Sequence, residues 1–198
     1  DIIDNKNSFL ELFHSQIDNI GGNGPGCYND IDMLIVGMHG NGNVGLGGCT
    51  SEEYFMHFAM WAFFGSPLII GGDIRNLSDE DRAILQNKGL ISINQDPECR
   101  PAFKIFEMEF ERYAFMKLLD GGKFAVAIFN VGCDGEYGKN ISVTFDDLGI
   151  HEIYASYRIE NNQSKRVLEK LGFKYHAEMT NENYLNEFFK EIAMKLEK

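Results

Sequence analysis

The chain has 198 residues, of which 44% are hydrophobic, 13% aromatic and 24% charged, a balance typical of a folded globular protein. Its formal charge of −12 makes binding to a phosphate backbone unfavourable, and no apolar run approaches the roughly 20 residues that cross a bilayer. We therefore expect neither a nucleic-acid partner nor a membrane partner.

The distribution of charge and glycine changes near residue 150. Residues 1–150 hold 10 Lys and Arg against 22 Asp and Glu, whereas residues 151–198 hold eight of each. Twenty of the 21 glycines also lie before residue 151. This step predicts two segments of different origin that meet near residues 148–150.

Neither the cysteines nor the histidines show the spacing of a metal site. The four cysteines are far apart and lack a C-x-x-C pair, so we expect unpaired thiols, which are typical of a reducing compartment such as the cytoplasm. His57 and Trp61 lie in an apolar helical run and are expected to pack in the core.

Three helices are predicted in the first 100 residues from apolar spacing and capping side chains. Asn7 or Ser8 is expected to cap the first helix, Thr50 and Glu53 form a capping-box pattern before the second, and Ser78 precedes three acidic residues in the third. The expected ranges are 9–17, 51–64 and 79–88.

Short buried strands at 33–36 and 67–70 alternate with these helices, which predicts a parallel sheet with crossover helices. Beyond Pro101 the pattern changes to an antiparallel β segment. Its expected strands are 103–109, 113–119, 123–130 and 140–145. The tail is expected to form a strand over 152–157 and helices over 163–171 and 183–197, the last from apolar residues at i, i+4 spacing.

Acidic residues lie beside the predicted parallel strands. Asp30 and Asp32 precede the strand at 33–36, Asp73 follows the next strand, and Asp1 and Asp4 precede the first helix. Hydrolysis of a glycoside needs two carboxyl groups, one that donates a proton and one that attacks or activates water. Any single one of these acids could instead cap a helix or hold a turn.

Three linked motifs resemble the α-galactosidase (melibiase) family of glycoside hydrolases. Residues 24–34 resemble its GPG-x-W-N-D-P-D-M-L signature, residues 66–77 its A-P-L-x-x-x-N-D-L-R-x-L segment, and residues 91–97 its A-I-N-Q-D-P segment. The resemblance covers residues 1–149. It implies an α/β fold with the C-terminal part of a (β/α)8 barrel over 1–100, followed by an antiparallel β domain over 101–149 of the β-sandwich kind.

The resemblance also implies an activity and a set of site residues. The family removes terminal α-linked galactose from oligosaccharides with retention, using two aspartates and no metal or other cofactor. Residues 1–6 correspond to its acid/base motif, so Asp1 is the expected general acid/base, and Asp32 and Met33 are expected to line the sugar pocket. The chain departs from the family at Lys6, Tyr28 and Ile31, where the family has Trp, Trp and Pro.

The family's nucleophilic aspartate lies upstream of the acid/base, on an earlier barrel strand. We therefore expect this chain to lack the nucleophile, and we expect the 198 residues alone to be inactive.

Residues 151–176 resemble a second family, the C-terminal part of GNAT acetyltransferases. That resemblance implies a short α/β tail over 150–198, with Asn161 and Ser164 near the pantetheine arm of acetyl-CoA. The family's Gly-rich pyrophosphate loop does not precede residue 151. An acetyl-CoA-dependent N-acetyltransferase fragment, a non-catalytic chimera and an independent β module over 103–149 therefore stand as alternatives to glycoside hydrolysis.

Overall fold

A computed structural model describes residues 5–19, 22–41, 47–108, 111–131, 143–144, 147–149, 152–182 and 188–197. The chain divides into two compact units, residues 1–141 (unit 1) and residues 142–198 (unit 2). Within the ranges described, we find no helix with the length and apolar character needed to span a bilayer.

The described part of unit 1 contains four α-helices, each preceded by a polar capping side chain. They are α1 (Lys6–Gln16), α2 (Ser51–Phe64), α3 (Asp79–Leu85) and α4 (Lys88–Asn94). Helix α2 has the predicted bounds, and its capping box between Thr50 and Glu53 is present. Helix α1 begins earlier than predicted because Asn5, not Asn7 or Ser8, caps it and accepts a bond from the Ser8 amide.

The predicted third helix, 79–88, is shorter than expected, and a helix that the sequence did not predict follows it. Helix α3 begins after Ser78 as expected but ends at Leu85. The side chain of Asn87 then accepts a hydrogen bond from the Leu90 amide at 3.1 Å and caps α4. Asparagine favours such caps over helix interiors, because its side chain competes for backbone hydrogen bonds.

An antiparallel sheet follows the helices, with strand order β1-β2-β3. Its strands are β1 (Phe103–Met108), β2 (Arg112–Leu118) and β3 (Phe124–Asn130). The predicted turn between the last two strands is present at Asp120–Gly122, where Gly121 and Gly122 have φ of +69° and +73°. The predicted strand at 140–145 lies mostly outside the described residues.

The helices and this sheet share one hydrophobic core. Phe13 of α1 is fully buried, and its ring lies 5.5 Å from that of Phe64 on α2. The same ring lies 5.6 Å from Tyr113, 6.0 Å from Phe115 and 5.8 Å from Phe129, all on the sheet. Residues 103–130 therefore bury their inner face against α1 and α2, which argues against an independent β module.

The two predicted parallel strands meet in a single parallel bridge between Leu34 and Ile70. Leu34, Ile35 and Val36 are completely buried, as predicted. Ile69 and Ile70, however, are 56% and 43% exposed, because no strand in the described ranges covers their other side.

The described part of unit 2 is a three-stranded antiparallel sheet with one helix. Its elements are β4 (Glu152–Arg158), α5 (Asn162–Lys170), β5 (Lys174–Glu182) and β6 (Phe188–Glu197), in strand order β4-β6-β5. The predicted helix over 183–197 is wrong. Residues 188–197 instead form the central strand, antiparallel to both neighbours. Three consecutive residues, Ile192–Met194, are buried, and an apolar run of this kind does not distinguish a helix from a central strand.

Candidate functional site

The site residues of unit 1 surround the bridge between Leu34 and Ile70. The Leu34 amide donates to the Ile69 carbonyl at 2.7 Å, and the Gly71 amide donates to the Leu34 carbonyl at 2.9 Å. This is the hydrogen-bond pattern of neighbouring parallel strands. Asp32 therefore lies just before the bridge on one segment, and Asp73 lies just after it on the other.

Asp32 has a backbone conformation that is unusual for a residue with a side chain. Its φ is +92°, in the left-handed region that favours glycine. Its Oδ1 accepts a hydrogen bond from the Met33 amide at 2.7 Å, and its own amide donates to Oδ1 of Asp30 at 3.0 Å. Strained residues of this kind cost about 1–3 kcal/mol and are concentrated at functional sites.

Met33 extends from Asp32 toward the start of the neighbouring loop. A methyl group added to Gly71 would collide with the Met33 side chain, so the absence of a side chain at Gly71 leaves room for the thioether. The two predicted pocket residues are therefore adjacent, and both are partly buried.

Asp73 is engaged by an arginine on its own loop. Its two carboxylate oxygens accept hydrogen bonds from Nε and Nη2 of Arg75, each at 2.8 Å. Oδ1 also accepts a bond from the Arg75 amide at 3.0 Å. The Arg75 side chain, with the backbone bond as the next contribution, holds the pKa of Asp73 below its usual range. Asp73 is therefore ionised at neutral pH and poorly suited to donate a proton.

A second carboxylate, Asp81, is buried beside a histidine. Its Oδ2 accepts hydrogen bonds from Ser78 Oγ at 2.6 Å and from His39 Nε2 at 2.8 Å. Burial is the largest influence and raises its pKa, but the bonds from Ser78 and His39 together outweigh it and leave the pKa below its usual value. This group joins α3 to the loop after Val36.

Lys117 of the central strand β2 is also buried. Its Nζ donates to the Ala62 carbonyl at the end of α2, at 3.3 Å. Burial lowers the pKa of Lys117 to about 8, although Asp96 and Cys99 act in the opposite direction. The Asp96 carboxylate itself accepts two backbone bonds, from the amides of Glu98 at 3.1 Å and Asp120 at 2.9 Å.

Two further predicted residues lie together in unit 2. Asn161 caps α5, and its side-chain oxygen accepts a hydrogen bond from the Ser164 amide at 3.0 Å. This contact is an ordinary helix N-cap.

The predicted acid/base Asp1, and Asp4 with it, lie outside the described residues.

Sequence reasoning missed two groups that support Asp32. Trp61 Nε1 donates to the Asp32 carbonyl at 2.7 Å, and His57 Nε2 accepts a bond from the Ile35 amide at 3.1 Å. Both side chains are buried, as predicted for core residues. The available signal was the indole N–H, because a buried tryptophan usually finds a hydrogen-bond acceptor.

No cluster of three or more His, Cys, Asp or Glu side chains suited to a metal ion occurs within the described ranges.

Comparisons with known proteins match the part of the chain that contains Asp32, Met33 and Asp73. The sequence model of the family described as alpha galactosidase A matches residues 1–96. The chain is 43% identical over 164 residues to Alpha-galactosidase A of Cellvibrio japonicus, covering 78% of this chain and 38% of that protein. It is 49% identical over 159 residues to Alpha-galactosidase 3 of Arabidopsis thaliana, covering 79% of this chain and 34% of that protein.

Solved structures agree on the fold. An α-galactosidase of Saccharomyces cerevisiae superposes with a TM-score of 0.58 at 25% identity, over 82% of this chain and 39% of that one. A β-L-arabinopyranosidase of Geobacillus stearothermophilus superposes with a TM-score of 0.57 at 18% identity, over all of this chain and 43% of that one, and shows the fold alone. The chain thus spans 34–43% of the length of these four proteins.

Proposed function

Because residues 1–96 match the alpha-galactosidase family of glycoside hydrolases, we propose that this chain supplies one side of a site that cleaves terminal α-galactosides from oligosaccharides. Asp1 serves as the general acid/base. The Asp32 carboxylate accepts hydrogen bonds from sugar hydroxyls, and Met33 contacts the apolar face of the ring. The left-handed conformation of Asp32 beside Met33, within the matched segment, is the observation that carries this proposal.

The chemistry requires two carboxyl groups and no metal. In a retaining hydrolase the acid protonates the leaving oxygen while the second carboxylate attacks the anomeric carbon. The two carboxyl groups lie about 5–5.5 Å apart. The first carboxylate then removes a proton from water as the water oxygen attacks the anomeric carbon. The bond between that carbon and the second carboxylate breaks, and the sugar is released. Asp1 takes the first role in this proposal.

Three described aspartates are already engaged by other groups and are poor candidates for the nucleophile. Asp73 is bound through both oxygens by Arg75, Asp81 is bound by Ser78 and His39, and Asp96 holds two backbone amides. Retaining chemistry needs a carboxylate that faces the acid/base at close range. We therefore propose that the 198 residues bind galactose but do not turn over an α-galactoside.

The test is an assay of the purified chain with p-nitrophenyl α-D-galactoside, alongside galactose binding by calorimetry. We expect binding without release of p-nitrophenol, and we expect Asp32→Asn to lose binding. Asp79→Asn is the control, since the Asp79 side chain is 99% exposed and pairs only with Arg82 among the contacts described. D-glucose and N-acetylgalactosamine report on the choice of sugar.

Two results would overturn the proposal in different ways. Turnover that disappears in Asp1→Asn would show that the nucleophile is one of the carboxylates of this chain. Absence of galactose binding by the folded chain would show that Asp32 and Met33 do not form a sugar pocket on their own.

Acetyl-CoA binding by unit 2 stays a prediction. Asn161 and Ser164 are together at the start of α5, but the Asn161 side chain is used as the helix cap. Calorimetric titration of acetyl-CoA into the parent chain and into Asn161→Ala tests this prediction. Equal heats of binding for the two proteins would argue against a role for Asn161.

A further inference from the structure

Side chains, and not a sheet ladder, hold most of the backbone around Asp32. Of residues 31–35, Leu34 alone forms a bridge to a neighbouring segment within the part of the chain that the structure describes. Three other amides donate to side-chain oxygens: Ile31 to Ser66 Oγ at 3.0 Å, Asp32 to Asp30 Oδ1 at 3.0 Å and Met33 to Asp32 Oδ1 at 2.7 Å. The conformation of residues 31–35 therefore depends on particular side chains more than an ordinary strand does.

Two further bonds to this segment come from one face of α2. Trp61 Nε1 donates to the Asp32 carbonyl at 2.7 Å, and His57 Nε2 accepts from the Ile35 amide at 3.1 Å. The two rings stand four residues apart on the helix and contact each other edge to face, with centroids 4.0 Å apart. Together they contact the segment at both ends of the Asp32–Ile35 stretch.

The chemistry of each ring suits its partner. The indole N–H of Trp61 is a donor only, and it meets a carbonyl. The His57 ring must be neutral to accept the Ile35 N–H, and burial, which lowers its pKa to about 3, keeps it so at any ordinary pH. The ring of Phe9 lies 5.0 Å from His57 and closes the apolar surroundings.

The bond from Trp61 acts at the strained residue itself. A φ of +92° orients the peptide planes on either side of Asp32, and the Asp32 carbonyl is the group that Trp61 fixes. Without that bond, relaxation of Asp32 toward negative φ becomes easier, and the carboxylate and the Met33 side chain would both change direction.

We infer that Trp61 is a positioning residue for the sugar-binding pair Asp32 and Met33, and that His57 supports it by fixing the Ile35 amide one turn of α2 away. The effect on galactose binding rests on the proposed function, in which Asp32 and Met33 contact the sugar. The geometry of the segment is tested separately.

The experiment compares three single variants of the full chain. Trp61→Phe keeps an aromatic ring but removes the N–H, His57→Phe removes the acceptor, and His57→Gln restores an acceptor through its amide oxygen. Tyr54→Phe is the matched control: it also loses one polar group of α2, but that hydroxyl accepts bonds from the His39 and Cys49 amides, away from Asp32. Melting temperatures verify that each protein is folded.

We expect Trp61→Phe to weaken galactose binding about tenfold, in line with a lost hydrogen bond of roughly 1.4 kcal/mol. His57→Phe should weaken binding less, and His57→Gln should restore it. Tyr54→Phe should bind galactose with an affinity within about twofold of the parent, even if its melting temperature falls as much as that of Trp61→Phe. Equal binding by Trp61→Phe and the parent would overturn the inference.

Nuclear magnetic resonance separates failure of the inference from failure of the proposed function. In the parent, a coupling between the Ile35 amide nitrogen and His57 Nε2 reports their hydrogen bond directly. The Met33 amide should move strongly in Trp61→Phe and little in Tyr54→Phe. If the parent binds no galactose but these signals behave as stated, the positioning is right and the assigned ligand is wrong. If the Met33 amide does not move, Trp61 does not position the segment.

Discussion

Asp32 and Asp73 flank the same parallel bridge, but they are held in opposite ways. Asp73 lies on an exposed loop and is neutralised by Arg75, whose side chain is 83% exposed. Asp32 has no ion pair among the described residues and has a strained backbone. Its carbonyl accepts a hydrogen bond from the buried Trp61 of α2. Both oxygens of Asp73 are occupied by Arg75, whereas Asp32 uses Oδ1 for the Met33 amide and no described contact involves its Oδ2.

The largest difference between the two regions should appear in stability. Trp61→Ala removes a fully buried ring and the bond to Asp32, and we expect the free energy of unfolding to fall by about 3–5 kcal/mol. Arg75→Ala should leave the melting temperature unchanged, since exposed ion pairs contribute little. Urea titration of both variants measures this, and a large loss in Arg75→Ala would contradict the comparison.

As the pH falls, the contribution of His57 to the free energy of unfolding should decrease before that of Asp73. The pKa of His57 is lowered from 6.5 to about 3 on folding, so the unfolded chain binds a proton that the folded chain does not. The free energy of unfolding should therefore fall as pH drops from about 6.5 toward 3. His57→Gln should flatten this slope, and an unchanged slope in the variant would show that another group is responsible.

Burial gives Lys117 the same direction of pH dependence as His57, in the alkaline range. Its pKa is lowered from 10.5 to about 8 by burial, so between these values the unfolded chain holds more protons than the folded one. The free energy of unfolding should rise as pH increases from about 8 to 10.5. Lys117→Met should remove the rise, whereas a Lys117→Met protein with the parental slope would show that the lysine is not buried in solution.

Relief of backbone strain should give a smaller effect. Glycine adopts a φ of +92° without penalty, so Asp32→Gly should raise the free energy of unfolding by about 1 kcal/mol despite the loss of the bond to the Met33 amide. Asp32→Ala retains the strain and should be less stable than Asp32→Gly. Equal stability of the two variants, measured by chemical denaturation, would mean that Asp32 is not left-handed in solution.

The smallest effect concerns Asp73 itself. Its pKa is lowered by Arg75, so the pair favours folding above the ordinary pKa of 3.8 and this contribution is lost as pH falls through the lowered value. Because the pair is exposed, we expect Asp73→Asn and the parent to have indistinguishable melting temperatures at about 1 M salt. A salt-resistant difference would indicate a buried role.

Local signals predicted the bounds of α2, but they did not predict the start of α1 or the separate helix α4. The capping box at Thr50 fixes the start of α2, and Gly65, with φ of +71°, terminates it. Buried acceptors and donors were harder to predict, because the partners of His57 and Trp61 are backbone groups 22 and 29 residues away in sequence. Nothing in the sequence pairs those groups before the chain is folded.

The error in the tail has a related cause. Residues 183–197 carry apolar side chains at helical spacing, and residues 188–197 are nevertheless a central strand. Ile192–Met194 are buried, and their strand pairs with β4 on one side and β5 on the other. Tertiary pairing thus overrides a local pattern that fits both structures.

The titration of galactose into the parent chain, Asp32→Asn and Asp73→Asn tests the central claim most directly. Asparagine tolerates the left-handed conformation, so Asp32→Asn changes the charge of the carboxylate with little effect on the fold. Binding by the parent and by Asp73→Asn, with loss in Asp32→Asn, is the predicted result. Loss in Asp73→Asn with binding retained in Asp32→Asn would assign the sugar to the other carboxylate and contradict the account.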